Sequence, residues 1–243
     1  MKILAIDTSS AVLSIGLMKD GVILGEFSQN KALTHSEKLM PQIRHLFESL
    51  EEDIKTVDRF AVTIGPGSFT GIRIGVATAN AFAMAHQKEI VAISTLEALA
   101  HNFVNSDAYI VTTMSAQRED YYRGIYFFGS DRQFEVYREE QVVSKTKIID
   151  EILEISEEKK VIIVGEITQE LEADAEFIKC QNQQKSIIEI AQGADNYIRG
   201  AVLCQIAQES NRVSEGFASP VYIRKPQAEE QYEARQRQRM GHE

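Results

Sequence analysis

Cysteine occurs only twice in 243 residues, at Cys180 and Cys204, and neither the number nor the spacing suits a disulfide framework or a cysteine zinc site. Both are expected to be ordinary thiols of a reducing cytosol. No apolar run approaches the roughly 20 residues of a membrane-spanning helix. The opening segment meets Asp7 long before an apolar signal core could form, so neither a secretory signal nor a membrane association is expected, and the expected location is the cytoplasm. Histidine is scarce: among His35, His45, His86, His101 and His242 no two stand four apart as paired helical metal ligands would. No metal ligand and no catalytic residue are assigned. Fourteen glycines include no adjacent pair, and none lies between Met1 and Gly16.

The composition that remains is 44% hydrophobic, enough for one large domain or two lobes of roughly 100 to 150 residues each. Net charge is −10. Residues 1–104 carry 9 basic against 11 acidic side chains, and residues 105–243 carry 17 against 25. A surface with that balance repels phosphates, so the chain alone is expected to bind tRNA or DNA weakly. Arg235, Arg237 and Arg239 alternate with glutamines in a polar end expected to fray.

Three strands open the chain at Lys2–Asp7, Val12–Lys19 and Val22–Ser28, the last two joined through Asp20-Gly21, a strong two-residue hairpin signal. Thr34 and Glu37 have capping-box spacing, and Leu39, Ile43, Leu46, Phe47 and Leu50 form a helical stripe. Pro41 is expected to bend that helix. A strand at Phe60–Ile64 leads into a glycine loop and a helix to about His86. A strand at Ile90–Ile93 and a helix capped by Ser94 or Thr95 follow. The plan then restarts, with strands at Tyr109–Thr113, Tyr121–Phe128 and Phe134–Val143, a turn at Gly129-Ser130, a helix at Lys147–Ile155 and a strand at Val161–Val164. Residues 187–210 read largely as helix, and Pro220–Arg224 as a last short strand. The repeated plan predicts an α/β architecture of mixed sheets covered by helices, with a first lobe at 1–104 and a second at 105–243.

The glycine loop, Gly65-Pro66-Gly67-Ser68-Phe69-Thr70-Gly71, joins strand to helix, the general geometry for holding an anion. Three features oppose that use: no lysine follows Gly71, the glycine spacing misses the dinucleotide pattern by one residue, and Pro66 removes an amide donor. A purely structural turn is the alternative. Ser68 lacks the spacing of a nucleophile elbow and is expected to cap the next helix. Along that helix Gly71, Gly75, Ala79 and Ala83 form a ridge of small side chains suited to close helix contact, inside the fold or with another subunit. Asp7 ends the first strand where phosphate-transfer enzymes of the actin and hexokinase type place their first phosphate loop, yet the glycine that such a loop uses is missing.

Gly65 through Gly75 is similar to the signature of the TsaB, or YeaZ-like, family. Ile3-Leu4-Ala5-Ile6-Asp7-Thr8-Ser9, His35-Ser36-Glu37-Lys38-Leu39-Met40-Pro41 and Pro220-Val221-Tyr222-Ile223-Arg224 resemble the same family in order and spacing. Ser115 stands where the family usually carries aspartate. The resemblance implies a two-lobed actin-like ATPase fold with a degenerate nucleotide site. It further implies a non-catalytic subunit that assembles with TsaD and TsaE for threonylcarbamoyl transfer to tRNA, with ATP and metal held by those partners and none by this chain. The expected partner surface lies on the first lobe at His35, Leu39, Gly71, Ile72, Gly75, Ala79 and Ala83, and without TsaD it would pair two copies of the chain. The rival expectation is an ATP-dependent phosphotransferase or a metallopeptidase.

Overall fold

The computed structural model describes residues 1–30, 35–117, 119–130, 133–183, 187–214 and 217–224. Thr34 of the expected capping box and the arginines of the tail lie outside them. The first sheet is built on β1 (Lys2–Asp7), whose six residues are all buried. Its alternation divides two cores. Leu4 and Ile6 face one side, with α1 (His35–Ser49) and α2 (Phe69–His86), while Ile3 and Ala5 face the other. Burial on both faces is why this strand reads as continuously apolar.

β2 (Val12–Lys19) pairs antiparallel with β1, and β3 (Val22–Asn30) antiparallel with β2. The turn between them has Asp20 at φ 51° and Gly21 at φ 81°, the left-handed values that the Asp-Gly pair predicts. β4 (Arg59–Thr63) and β5 (Glu89–Ile93) extend the sheet in parallel on the far side of β1. α3 (Thr95–Ala100) is capped by the Ser94 hydroxyl, which accepts from the Leu96 and Glu97 amides.

The second sheet repeats this order. β6 (Ala108–Ser115), β7 (Asp120–Phe128) and β8 (Phe134–Ser144) form the meander, and β9 (Val161–Gly165) and β10 (Ile188–Ile190) add in parallel. α4 (Lys145–Ile155) precedes β9, and α5 (Thr168–Glu172) and α6 (Ala175–Gln181), which the sequence did not mark, follow it. Strand for strand, the second lobe follows the 5-4-1-2-3 order of the first. The result is a two-lobed arrangement of mixed sheets covered by helices, as the repeated plan predicts.

Three expectations need correction. Residues 187–210 are helical only in α7 (Gly200–Glu209), after β10 and a short 3-10 turn at Gly193–Asn196. Ile187–Ala191 is a short apolar run, which suits a buried strand as well as a helix. Pro220–Arg224 is not a strand but a strap, held to β4's end by the Val221 amide on the Ile64 carbonyl at 2.8 Å. The boundary after residue 104 also fails for the end of the chain. α7 packs on β1 and β2, and β11 (Val213–Ser214) pairs with β5, so the chain returns to the first lobe. α7 is seated closely: a Cβ at Gly16 would lie 2.3 Å from the Gly200 carbonyl carbon, and the Gly200 amide donates to the Ser14 hydroxyl at 2.9 Å.

Candidate functional site

β1 and its parallel neighbour β4 end side by side, which brings Asp7 and Thr63 together. Asp7 is fully buried, and its Oδ1 accepts three hydrogen bonds: from the Ser9 amide at 3.0 Å, the Ser9 hydroxyl at 2.6 Å and the Thr63 hydroxyl at 2.6 Å. Its Oδ2 is buried with no hydrogen-bond partner among the described residues. Burial raises the carboxyl pKa from its ordinary value, while the Ser9 and Thr63 donors and the charge of His35 oppose that shift. His35, the first residue of α1, places Nε2 2.7 Å from the Ser10 carbonyl oxygen and so ties the helix to this loop.

The glycine loop closes over the same strand end. The Ser68 amide donates to the Ser9 carbonyl at 2.7 Å, and the Thr8 hydroxyl donates to the Gly71 carbonyl at 2.7 Å. Ser68 caps α2, its hydroxyl accepting from the Gly71 amide at 3.2 Å. A Cβ at Gly67 would meet the Ser9 carbonyl oxygen at 2.3 Å, and one at Gly71 the Thr8 carbonyl oxygen at 2.0 Å. Glycine is therefore needed where two backbones touch. Two amides that a phosphate nest would aim at a ligand are spent on protein oxygens. On the other side of the loop the strap lies against Gly65, where a Cβ would meet the Val221 carbonyl oxygen at 2.6 Å.

Within the second lobe, beyond the end of β9, lies a crevice of about 330 Å³ whose lining includes Glu166, Gln169, Glu172, Gln192 and Asn196 and no lysine, arginine or histidine. Asn196 holds its rim, accepting from the Gly165 amide at 2.8 Å and donating to the Ala191 carbonyl at 2.7 Å. At Ser115 a carboxylate arrives from another strand end: Glu166 Oε2 accepts the Ser115 amide at 2.7 Å. Two carboxylates without a cation among the lining residues oppose a phosphate there. Among the described residues no group of three or more His, Cys, Asp or Glu side chains is placed to hold a metal ion.

The expected partner surface needs revision. Leu39, Ile72, Ala79 and Ala83 are at most 1% exposed, and Gly71 and Gly75 are buried. The small-residue ridge faces inward, because it lets α2 lie against the sheet: a Cβ at Gly75 would meet the Thr8 hydroxyl at 2.5 Å and Val62 at 3.5 Å. Only His35 of that set is partly exposed. α1 and α2 do touch one another, and their outer faces carry other residues: Met40 on α1, and Ala77, Ala81, Met84 and Ala85 on α2. Met40 and Met84 are 49% and 56% exposed, apolar area without cover in the single chain.

A family model described as "TsaD: tRNA N6-adenosine threonylcarbamoyltransferase" matches residues 23–232. The chain is 33% identical over 143 residues to a Bacillus subtilis protein named tRNA threonylcarbamoyladenosine biosynthesis protein TsaB, an alignment covering 59% of this chain and 62% of that one. A protein of the same name from Escherichia coli is 31% identical over 41% of this chain and 43% of its own length. A third, from Buchnera aphidicola, is 30% identical over 68% of this chain and 78% of its own. The chain thus spans less than two thirds of the first two relatives. Among solved structures, YeaZ from Pseudomonas aeruginosa superposes with a TM-score of 0.69 at 21% identity, covering 91% of this chain and 99% of that one, a likeness of fold.

Proposed function

This chain belongs to the family that the TsaD model describes and, within it, to the TsaB proteins; from that premise we propose that it is a non-catalytic subunit of a TsaD-containing complex that transfers threonylcarbamoyl to N6 of the adenosine beside the anticodon of tRNA. In that role it acts in the cytoplasm beside TsaD and TsaE. Those partners supply the ATP and metal chemistry. The observation that carries the reading is how the site inherited from the fold is filled. Ser9's carbonyl takes the Ser68 amide at 2.7 Å, Asp7 is fully buried, and the crevice lining pairs its carboxylates with no cation.

Docking belongs to the outer faces of α1 and α2, with Met40, Ala77, Ala81 and Met84 in place of the buried ridge. Small and flexible apolar side chains on two adjacent helices suit close packing against a helix pair of another subunit. When TsaD is absent the same face pairs two copies isologously, burying on the order of 1,600 Å² if the dimer is stable. Calorimetry of the isolated chain with ATP and magnesium tests the non-catalytic assignment: weak or absent binding agrees with it, and tight binding with turnover refutes it.

A further inference from the structure

Arg73 lies one turn into α2, four residues before Ala77 and eight before Ala81 on the exposed side of the helix. Its guanidinium carbon stacks 3.8 Å from the Phe69 ring centroid and stands 5.8 Å from that of Tyr222, and its Nε donates to the Tyr222 hydroxyl at 2.9 Å. Tyr222 is itself fixed by the strap. Besides the Val221 bond to β4's end, Ala218 exchanges two 2.9 Å hydrogen bonds with the Asn80 side chain. Every other described arginine has a carboxylate oxygen within 3.8 Å. Among the described residues Arg73 alone has none, although the chain carries an excess of ten acidic groups. Its Nη1 and Nη2 have no partner there.

We propose that Arg73, held between Phe69 and Tyr222, is an anchor that receives an aspartate or glutamate side chain of the partner subunit. A planar guanidinium matches a carboxylate with two parallel hydrogen bonds, and here stacking has already removed most of its rotamer freedom. The collar is apolar and open: Phe69, Tyr222 and Val221 are 38%, 39% and 46% exposed. Covering it would exclude water from the ion pair, the arrangement of an interface hot spot, in which aromatic residues and arginine predominate. An RNA strand is the poorer occupant, because phosphate binding draws on several cations and this patch offers one unpaired arginine on an acidic chain. The inference rests on the subunit reading, and it adds the chemistry of one contact to it.

The test is titration of purified full-length chain into TsaD by calorimetry, at low and at high salt. Arg73→Gln is expected to weaken association about tenfold or more. Arg73→Lys should recover only part of the loss, since a point charge lacks the fork, and Tyr222→Phe, which keeps the stack and loses the aiming hydroxyl, should cost a few-fold. Ala81→Glu serves as the control for the surrounding face. Arg73→Gln binding as tightly as wild type, while Ala81→Glu does not bind, overturns the anchor and leaves the interface standing. Wild type failing to bind TsaD overturns the subunit reading and the anchor with it. A loss of tRNA affinity with unchanged affinity for TsaD assigns the arginine to phosphate and also overturns the proposal. Should Arg73→Gln unfold, Tyr222→Phe carries the same comparison.

Discussion

At Gly75 the distance of 2.5 Å from a Cβ position to the Thr8 hydroxyl decides what a substitution would do. A leucine there has to displace β1's end or α2 itself, so Gly75→Leu is expected to cost more than about 3 kcal/mol of stability and to abolish the fold before any interface is tested. Urea denaturation measures it. Asp7 gives a prediction of opposite sign. Its folded pKa is raised above the ordinary 3.8, so its contribution favours the native state at acid pH and is lost as pH rises through the folded value. Asp7→Asn keeps acceptors for Ser9 and Thr63 while removing a buried charge. The variant should gain stability relative to wild type as pH rises from the ordinary 3.8 through the raised folded value, as read by urea denaturation at a series of pH values. An unchanged difference across that range would mean that Asp7 titrates as an ordinary carboxyl.

α2 separates what an element's sequence can reveal from what it cannot. Spacing every four residues identified the ridge Gly71, Gly75, Ala79 and Ala83, but periodicity names a face and not the neighbour that fills it. The neighbour is β1's end and β4, through Thr8 and Val62. On the opposite face, Ala81→Glu and Met84→Glu are expected to change stability by no more than about 0.5 kcal/mol and to eliminate association with TsaD, as read by denaturation and calorimetry in parallel. β1 was legible because burial on both faces leaves an unbroken apolar run. The seat of α7 was not. Gly16 and Gly200 stand 184 residues apart in the chain, and nothing local marks either as a contact. The Phe69–Arg73–Tyr222 stack was hidden for the same reason. Gly16→Val should therefore dislodge α7 and lower stability by several kcal/mol in one cooperative transition, since α7 shares a core with residues of both sheets.

Taken whole, the molecule has two lobes of one plan, joined by a core that continues from Ile3 and Val91 of the first sheet to Ile110 and Val164 of the second. The strap and α7 then bring the chain back to the first lobe, so the outer faces of α1 and α2 rest on a braced framework. The acidic excess concentrates in residues 105–243, and weak tRNA binding by the chain alone follows from it. Submicromolar affinity at physiological salt would contradict that expectation. The central claim is that the chain works through TsaD and not by chemistry of its own. Its most direct test is a tRNA modification assay with purified TsaD, TsaE, this chain and the threonylcarbamoyl donor system, leaving out one component at a time. The account predicts that modified adenosine disappears when this chain is omitted and stays absent when folded Ala81→Glu protein replaces it. Modification at the full rate without the chain, or undiminished by Ala81→Glu, would contradict it.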